Sequence, residues 1–492
     1  MVDTRESANE ITEQFDRHFE WLAVFDDDEI VPLRRDEMEV AVEKEKIVLL
    51  TYGNSGHISK RITSYSISEE QVELTVSGSF GRDVSTILFI PRESALLLKQ
   101  QVDHARLERA AKAAATLFDL ESGYKIRSIS LSQDNARLSH LFAISPLGEH
   151  LAAVFDVTGD VPHRSLLAAA IKLNDRLAAR KNHPIYDLII AGLRPQMRRL
   201  KKLVALLKPN VAARFQFFEI EDDGENLNAK PLRQTAFNEL WRTSVKRKYG
   251  SELIMPSKTA TEIVAMASEK IDVVNTANGE TLRFYGLPFA RVRRIAGEEQ
   301  CWFGIGNKRK LLNDTTREEF YGLVDELHRR RDKETPEKRH ELYSTAAESW
   351  IGSILRRDIT KLDANLILSP IYDQFQTTSG KLDLLAMRRN GQLVVIEIKA
   401  QPDRNAVFQS IEYWQKVELL RRKGVLQDAG LFGAREILDR PSLLYIVAPA
   451  LSFHHDFDRF ASAVRSEIDI WRWELHQDWR SEIKAIARKD YS

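Results

Sequence analysis

Along the last third of the chain, hydrophobic and polar positions alternate between a period of two and a period near 3.6. Residues 382–387 and 393–398 are apolar and β-branched enough to be strands, and Asn390-Gly391 between them signals a hairpin. LLYIVAPAL (443–451) is a continuous apolar run, as a strand covered on both faces should be, and IDIWRWEL reads as a further strand. Three helical patterns flank these runs: HELYSTAAESWIGSILRR, AVFQSIEYWQKVELLRRKG and HHDFDRFASAVRSEI. The first carries an apolar stripe of Tyr343, Ala346 or Ala347, Trp350, Ile351 and Ile354. SEIKAIARKD, in the closing segment 477–492, reads as a helical tail.

The same rhythm occurs earlier. Between 125 and 221 come a strand pair around Pro146-Leu147-Gly148, the helix HRSLLAAAIKLNDRLAARK, the strand YDLIIAG, the helix PQMRRLKKLVALL and the strand ARFQFFEIE. This order matches the C-terminal one and suggests a degenerate second copy. Phe155-Asp156-Val157 then stands where Glu397-Ile398-Lys399 stands later, so the copy lacks the lysine. Residues 1–104 hold short β-like runs and suggest a small β-rich domain, and 105–225 form an α/β domain. Residues 226–335 mix strand and helix in a connecting domain, with Gly304-Ile305-Gly306 as a tight strand turn. Pro336 within RRRDKETPEKRH reads as the linker into a domain over 336–476. The expectation is a multidomain α/β protein.

Composition narrows the partners. Lys plus Arg number 72 and Asp plus Glu number 72, so net charge is zero and any nucleic-acid contact must rest on local patches. One such patch is the helix at 194–208, with Arg194, Arg198, Arg199, Lys201, Lys202 and Lys208. Lys381 beside the hairpin adds to it. The single Cys301 forms no disulfide within the chain and fits a reducing cytoplasm. No apolar run is long enough to span a bilayer, and no Walker-type loop supplies an ATP motor. A helicase or another repair or defence protein is a compatible partner, and so is a second copy of the chain.

The chemistry gathers at the hairpin. Asp383 lies on its first strand, and Glu397 and Lys399 lie two apart at the end of the second, on one face. Two acids and a lysine at an exposed strand end suit metal-assisted phosphodiester hydrolysis. Mg²⁺ takes oxygen ligands, here Asp383, Glu397 and the Ile398 carbonyl, and Lys399 would sit by the attacking water. Register sharpens this. A two-residue Asn390-Gly391 loop would set Asp383 opposite Ile398, facing away from Glu397; a three-residue loop or a bulge would bring the acids to one face. Gln409 and Tyr413, four apart on the next helix, share a face, and Glu348 sits at the edge of the preceding stripe. Glu-Ile-Lys recurs at 482–484 with no hairpin before it. His454-His455 reads as a surface or capping pair.

Taken in order, a helical Glu, Gly-x-x-Asp, Glu-x-Lys and Gln-x-x-x-Tyr resemble the PD-(D/E)xK nuclease superfamily, in its branch with the Gln-x-x-x-Tyr helix, similar to RecB-type and lambda-exonuclease-type nucleases. The resemblance covers about residues 340–476 and implies a restriction-endonuclease-like mixed sheet flanked by helices, with Mg²⁺ or Mn²⁺ as cofactor. It implies Asp383 and Glu397 as metal ligands, Lys399 as catalytic lysine, Glu348 as supporting carboxylate, and Gln409 and Tyr413 as orienting residues. Glu341 and Asp358 are alternatives for Glu348. Leu382 stands where the family motif often has Pro. DNA is the implied substrate, in repair, recombination or defence; an inactive nucleic-acid-binding scaffold and an RNA-directed nuclease are the alternatives.

Overall fold

The computed structural model describes residues 4–491 apart from 27–28, 44, 54–55, 69–70, 78–83, 93–94, 119–121, 182, 223–226, 245–254, 277–278, 307–308, 370–375 and 378–379. The chain divides into two compact units, Met1–Glu108 and Arg109–Ser492, the division falling within the helix Ala95–Leu117. The first unit is an antiparallel sheet of seven strands with the helix Thr4–Phe15. Its core gathers the inward residues of alternating strands, among them Trp21, Leu74, Val76 and Phe89, with Ile11 and Phe15 of the helix.

Among the described residues the second unit contains two sheets of six strands, one of five and a short two-stranded pair. The six strands between Lys125 and Leu232 lie in sequence order. Lys125–Leu131, Leu138–Ile144 and His150–Asp156 pair antiparallel, the next two pairings are parallel, and the last is antiparallel. The six strands between Leu366 and Asp490 repeat this: antiparallel, antiparallel, parallel, parallel, antiparallel. In each sheet a long helix, His163–Ala178 or Ala406–Arg422, links the third and fourth strands. A shorter one, Arg194–Val204 or Phe457–Ser462, links the fourth and fifth. The two sheets thus share one topology.

Equivalent segments also meet. Leu207, past the second helix of one half, forms an antiparallel bridge with Val464, past the second helix of the other. Lys208 N–H donates to the Ala463 carbonyl at 2.9 Å, and Arg465 N–H to Leu206 at 3.0 Å. This self-complementary contact is the kind found at a twofold interface between identical subunits. One apolar core runs through both halves, from Leu138 to Ile483. The 105–225 and 336–476 segments are therefore not separately cored.

Three sequence expectations need correction. Residues 477–492 hold no helix among those described; Ala485–Asp490 is an edge strand antiparallel to Ile470–Leu475, where pairing overrides helix propensity. The helix expected over 340–357 is two helices, Glu341–Ser344 and Ala347–Arg357, parted by Ala346 at φ 53°. The charged segment around Pro336 is not a free linker. Arg331 is fully buried, and its guanidinium donates to the carbonyls of Phe284, Tyr285, Leu342, Thr345 and Ala346. It ties the antiparallel sheet of five strands at 271–311 to the start of the helices that follow.

Candidate active site

The hairpin loop is Arg389-Asn390-Gly391, closed by Arg388 N–H to the Gln392 carbonyl at 2.8 Å. Gly391 has φ 90°, and a Cβ there would meet the Glu436 carbonyl at 2.8 Å, so glycine is required twice over. This is the three-residue loop. The ladder runs from Met387–Leu393 to Leu384–Ile396, and its next step sets Asp383 opposite Glu397. Asp383 Oδ2 accepts from Ile398 N–H at 2.9 Å, which holds its carboxylate across the end of the second strand.

Glu397 is 1% exposed, and its Oε2 has no hydrogen-bond partner among the described residues. Burial, reinforced by the facing Asp383 charge, holds the Glu397 carboxyl well above the ordinary carboxylate range. Lys399 Nζ lies 3.2 Å from Glu397 Oε1, 3.2 Å from Asp403 Oδ2 and 3.1 Å from Gln409 Oε1, so its three donors meet three acceptors. Burial works against the Lys399 ammonium, but Glu397, Glu348 and Asp403 outweigh it and hold its pKa above the usual lysine value. Gln409 Nε2 in turn donates to Tyr413 OH at 3.3 Å. The helix puts these two residues one turn apart facing the strand end.

Glu348 is exposed in the first turn of Ala347–Arg357, with Oε1 3.5 Å from Ala400 N–H, and its charge acts on both Glu397 and Lys399. Gly286 (φ 79°) seats that turn: a Cβ on it would meet the Ser349 carbonyl oxygen at 2.1 Å. Of the alternative acids, Asp358 caps the turn at Thr360, and Glu341 is exposed in the preceding short helix. Asp383, Glu397, Lys399, Gln409, Tyr413 and Glu348 thus come together, with Ile398 buried among them.

Two contributors escaped the sequence reading. Asp403, four residues past Lys399, pairs with it across the turn. Lys416 Nζ is buried without a hydrogen-bond partner among the described residues, 5.1 Å from the centre of the Tyr413 ring. Burial, with Arg164 and Arg199 nearby, lowers the Lys416 pKa. The only sequence signal for it is its spacing of three from Tyr413.

The basic helix is Arg194–Val204. It buries Met197, Leu200 and Leu203 and exposes Arg194, Arg198, Arg199 and Lys202, with Lys201 half-buried and Arg194 paired to Glu219 at 3.5 Å. Lys208 lies beyond it at the bridge between the halves. Lys381 is in a two-residue strand paired with Gln376, and its side chain falls outside the described residues. His454, His455 and Asp456 form a cluster with metal-ligand spacing, but His454 Nδ1 accepts from Asp456 N–H, and the Asp456 carboxylate faces Lys172, Arg404 and Arg459. That is a cap within a basic surround.

In the first half, the place of Glu397 needs correction too. Ala152 and Val154 share the core of the linking helices, while Ala153 and Phe155 belong to the opposite face. Asp156, not Phe155, therefore turns toward the helices. Its carboxylate is saturated by the N–H groups of Thr158, Gly159 and Val161, by the Thr158 hydroxyl and by Gln196. Two residues on stands Thr158, not lysine.

No family model matches the chain, and no curated protein matches it. A solved structure described as "Structure of EndoMS in apo form" aligns with 44% of this chain and 94% of its own, at 9% identity and a TM-score of 0.17. A score so low carries no argument. What the fold itself defines is a multidomain α/β protein with two mixed sheets of one topology. No described helix is long and apolar enough to cross a membrane.

Proposed function

We propose that the chain is a metal-dependent nuclease that hydrolyses phosphodiester bonds of DNA, with a restriction-endonuclease-like core in its C-terminal half. The observation that carries this reading is that Oε2 of the buried Glu397 has no hydrogen-bond partner among the described residues, while Asp383 stands opposite and Lys399 lies 3.2 Å from Oε1. A buried carboxylate oxygen without a donor is costly unless a proton or a cation completes it. The donor set is all oxygen, which suits Mg²⁺ or Mn²⁺. Asp383, Glu397 and the Ile398 carbonyl would hold the ion, with Glu348 at its edge. Bound there, it would neutralise developing phosphate charge and acidify a water.

The remaining work belongs to the chain. Lys399 is kept charged by its acidic neighbours, so it serves as donor to the attacking water rather than as base. With Glu397 engaged as ligand, one of its three donors is released toward that water. Gln409 fixes the ammonium, and Tyr413 fixes Gln409. The exposed arginines of Arg194–Val204 offer positive charge for the phosphate backbone.

The test is cleavage of linear, circular and single-stranded DNA, and of RNA, with Mg²⁺, Mn²⁺ or EDTA. Asp383→Ala and Lys399→Ala are each expected to lose about 100- to 10,000-fold in rate. Equal cutting by both variants, or in EDTA, would overturn the reading. Intact binding with no cutting in any lane would favour the scaffold.

A further inference from the structure

The half that lacks the lysine holds a cleft of about 660 Å³ between the helix His163–Ala178 and the face of its sheet. Five cations line it: Lys172 and Arg176 from the helix, Arg180 just past its end, and Arg404 and Arg459 from the C-terminal half. Asp134 and Asp175 line it, and the Asp456 carboxylate lies behind Lys172, Arg404 and Arg459, so five cations meet three acids and positive charge is left over. Asp134 bridges the mouth, 3.0 Å from Lys172 and 3.7 Å from Arg404. Ser130, Ser132 and His140 add neutral polar groups. Burial, with Arg176 nearby, pushes His140 down to about 4, so at neutral pH it is an uncharged hydrogen-bonding ring.

Phe142 and Arg180 form one wall of this cleft and also line a neighbouring one of about 420 Å³. The Arg180 guanidinium lies 5.3 Å over the Phe142 ring. The neighbour also contains His150 and His183, stacked with ring centres 4.5 Å apart. His183 sits at φ 52°, a conformation an L-residue adopts at a cost. A cationic pocket and a ring-lined pocket thus adjoin across a partition of one aromatic ring and one guanidinium.

We propose that the lysine-less half binds a nucleoside polyphosphate, its phosphates among Lys172, Arg176, Arg404 and Arg459 and its base among Phe142, His150 and His183. The volumes suit a small ligand. The cations converge on one cavity rather than line an extended groove, which favours a free nucleotide over a duplex backbone. The site also connects to the catalytic centre. Arg404 follows Asp403, the carboxylate that holds Lys399 at 3.2 Å. Drawing Arg404 onto phosphate would shift the turn that carries Asp403. This last link rests on the nuclease reading; the binding itself does not.

The experiment is calorimetric titration of the metal-free full chain with ATP, GTP, inorganic triphosphate and adenosine, and separately with a 5′-phosphorylated duplex. ATP or GTP is expected to bind, and exposed Arg176→Glu to weaken it by about tenfold or more. Phe142→Ala is expected to weaken the nucleotide while sparing triphosphate. Three results would overturn the proposal: no nucleotide binding at millimolar concentration, equal binding by Arg176→Glu, or duplex binding that nucleotides do not displace. Because the readout needs no cleavage, an inactive protein that still binds nucleotide would sink the nuclease reading and leave this one standing.

Discussion

On the proposed metal site, a proton and a metal ion would compete for one buried oxygen of Glu397. Its folded-state pKa lies above the unfolded value, so the folded protein holds this proton more tightly than the unfolded chain does. The stability it contributes is complete below the unfolded pKa and is lost as pH rises through the folded one. In EDTA, Glu397→Gln should therefore raise the melting temperature more at pH 8 than at pH 5, measured against wild type at each pH. Adding Mg²⁺ or Mn²⁺ should stabilise wild type at pH 8 and leave Glu397→Gln nearly unmoved. A metal-induced shift of equal size in both would place the ion elsewhere. Lys399 gives the complementary case. Lys399→Met keeps the stem but leaves Asp403 and Glu397 without their cation, so activity should fall with little change in metal-induced stabilisation.

Elements hold these side chains by backbone contacts that span long sequence distances. Arg331→Leu would strip donors from carbonyls of the strand end at Phe284 and of the helix starts at Leu342–Ala346. We expect a loss of about 3 kcal/mol or more by urea denaturation. Gly286→Ala should cost about 1–3 kcal/mol and lower cleavage, because the turn carrying Glu348 must back away. Neither contact could be read from local pattern. The hairpin, the Gln-x-x-x-Tyr helix and the strand–helix order of both halves were legible, because each is written in periodicity and turn residues within a few positions. Arg331, Asp403 and Lys416 were not. Their roles depend on which distant groups fold beside them, and a charge run looks the same whether it is solvated or sealed. The C-terminal strand failed for the same reason, since an edge strand is specified by the neighbour it joins.

Across the whole molecule, two halves of one topology carry one complete set of Asp, Glu and Lys. If the nuclease reading holds, each encounter should cut a single strand. On supercoiled plasmid, open circles should accumulate well before linear product, as followed by gel over time. Linear product appearing at the outset would show that two centres act together. The bridge between Leu207 and Val464 bears on this. Where two separate subunits make such a contact, dilution parts them. Here both sides belong to one polypeptide, and the effective concentration of one for the other is on the order of millimolar whatever the amount in the tube. The pairing of halves therefore cannot be titrated away, and turnover per molecule should stay constant as the protein is diluted. On the nuclease reading, carrying both faces of the contact in one polypeptide would also leave one half free to lack catalysis while it continues to hold the other in place.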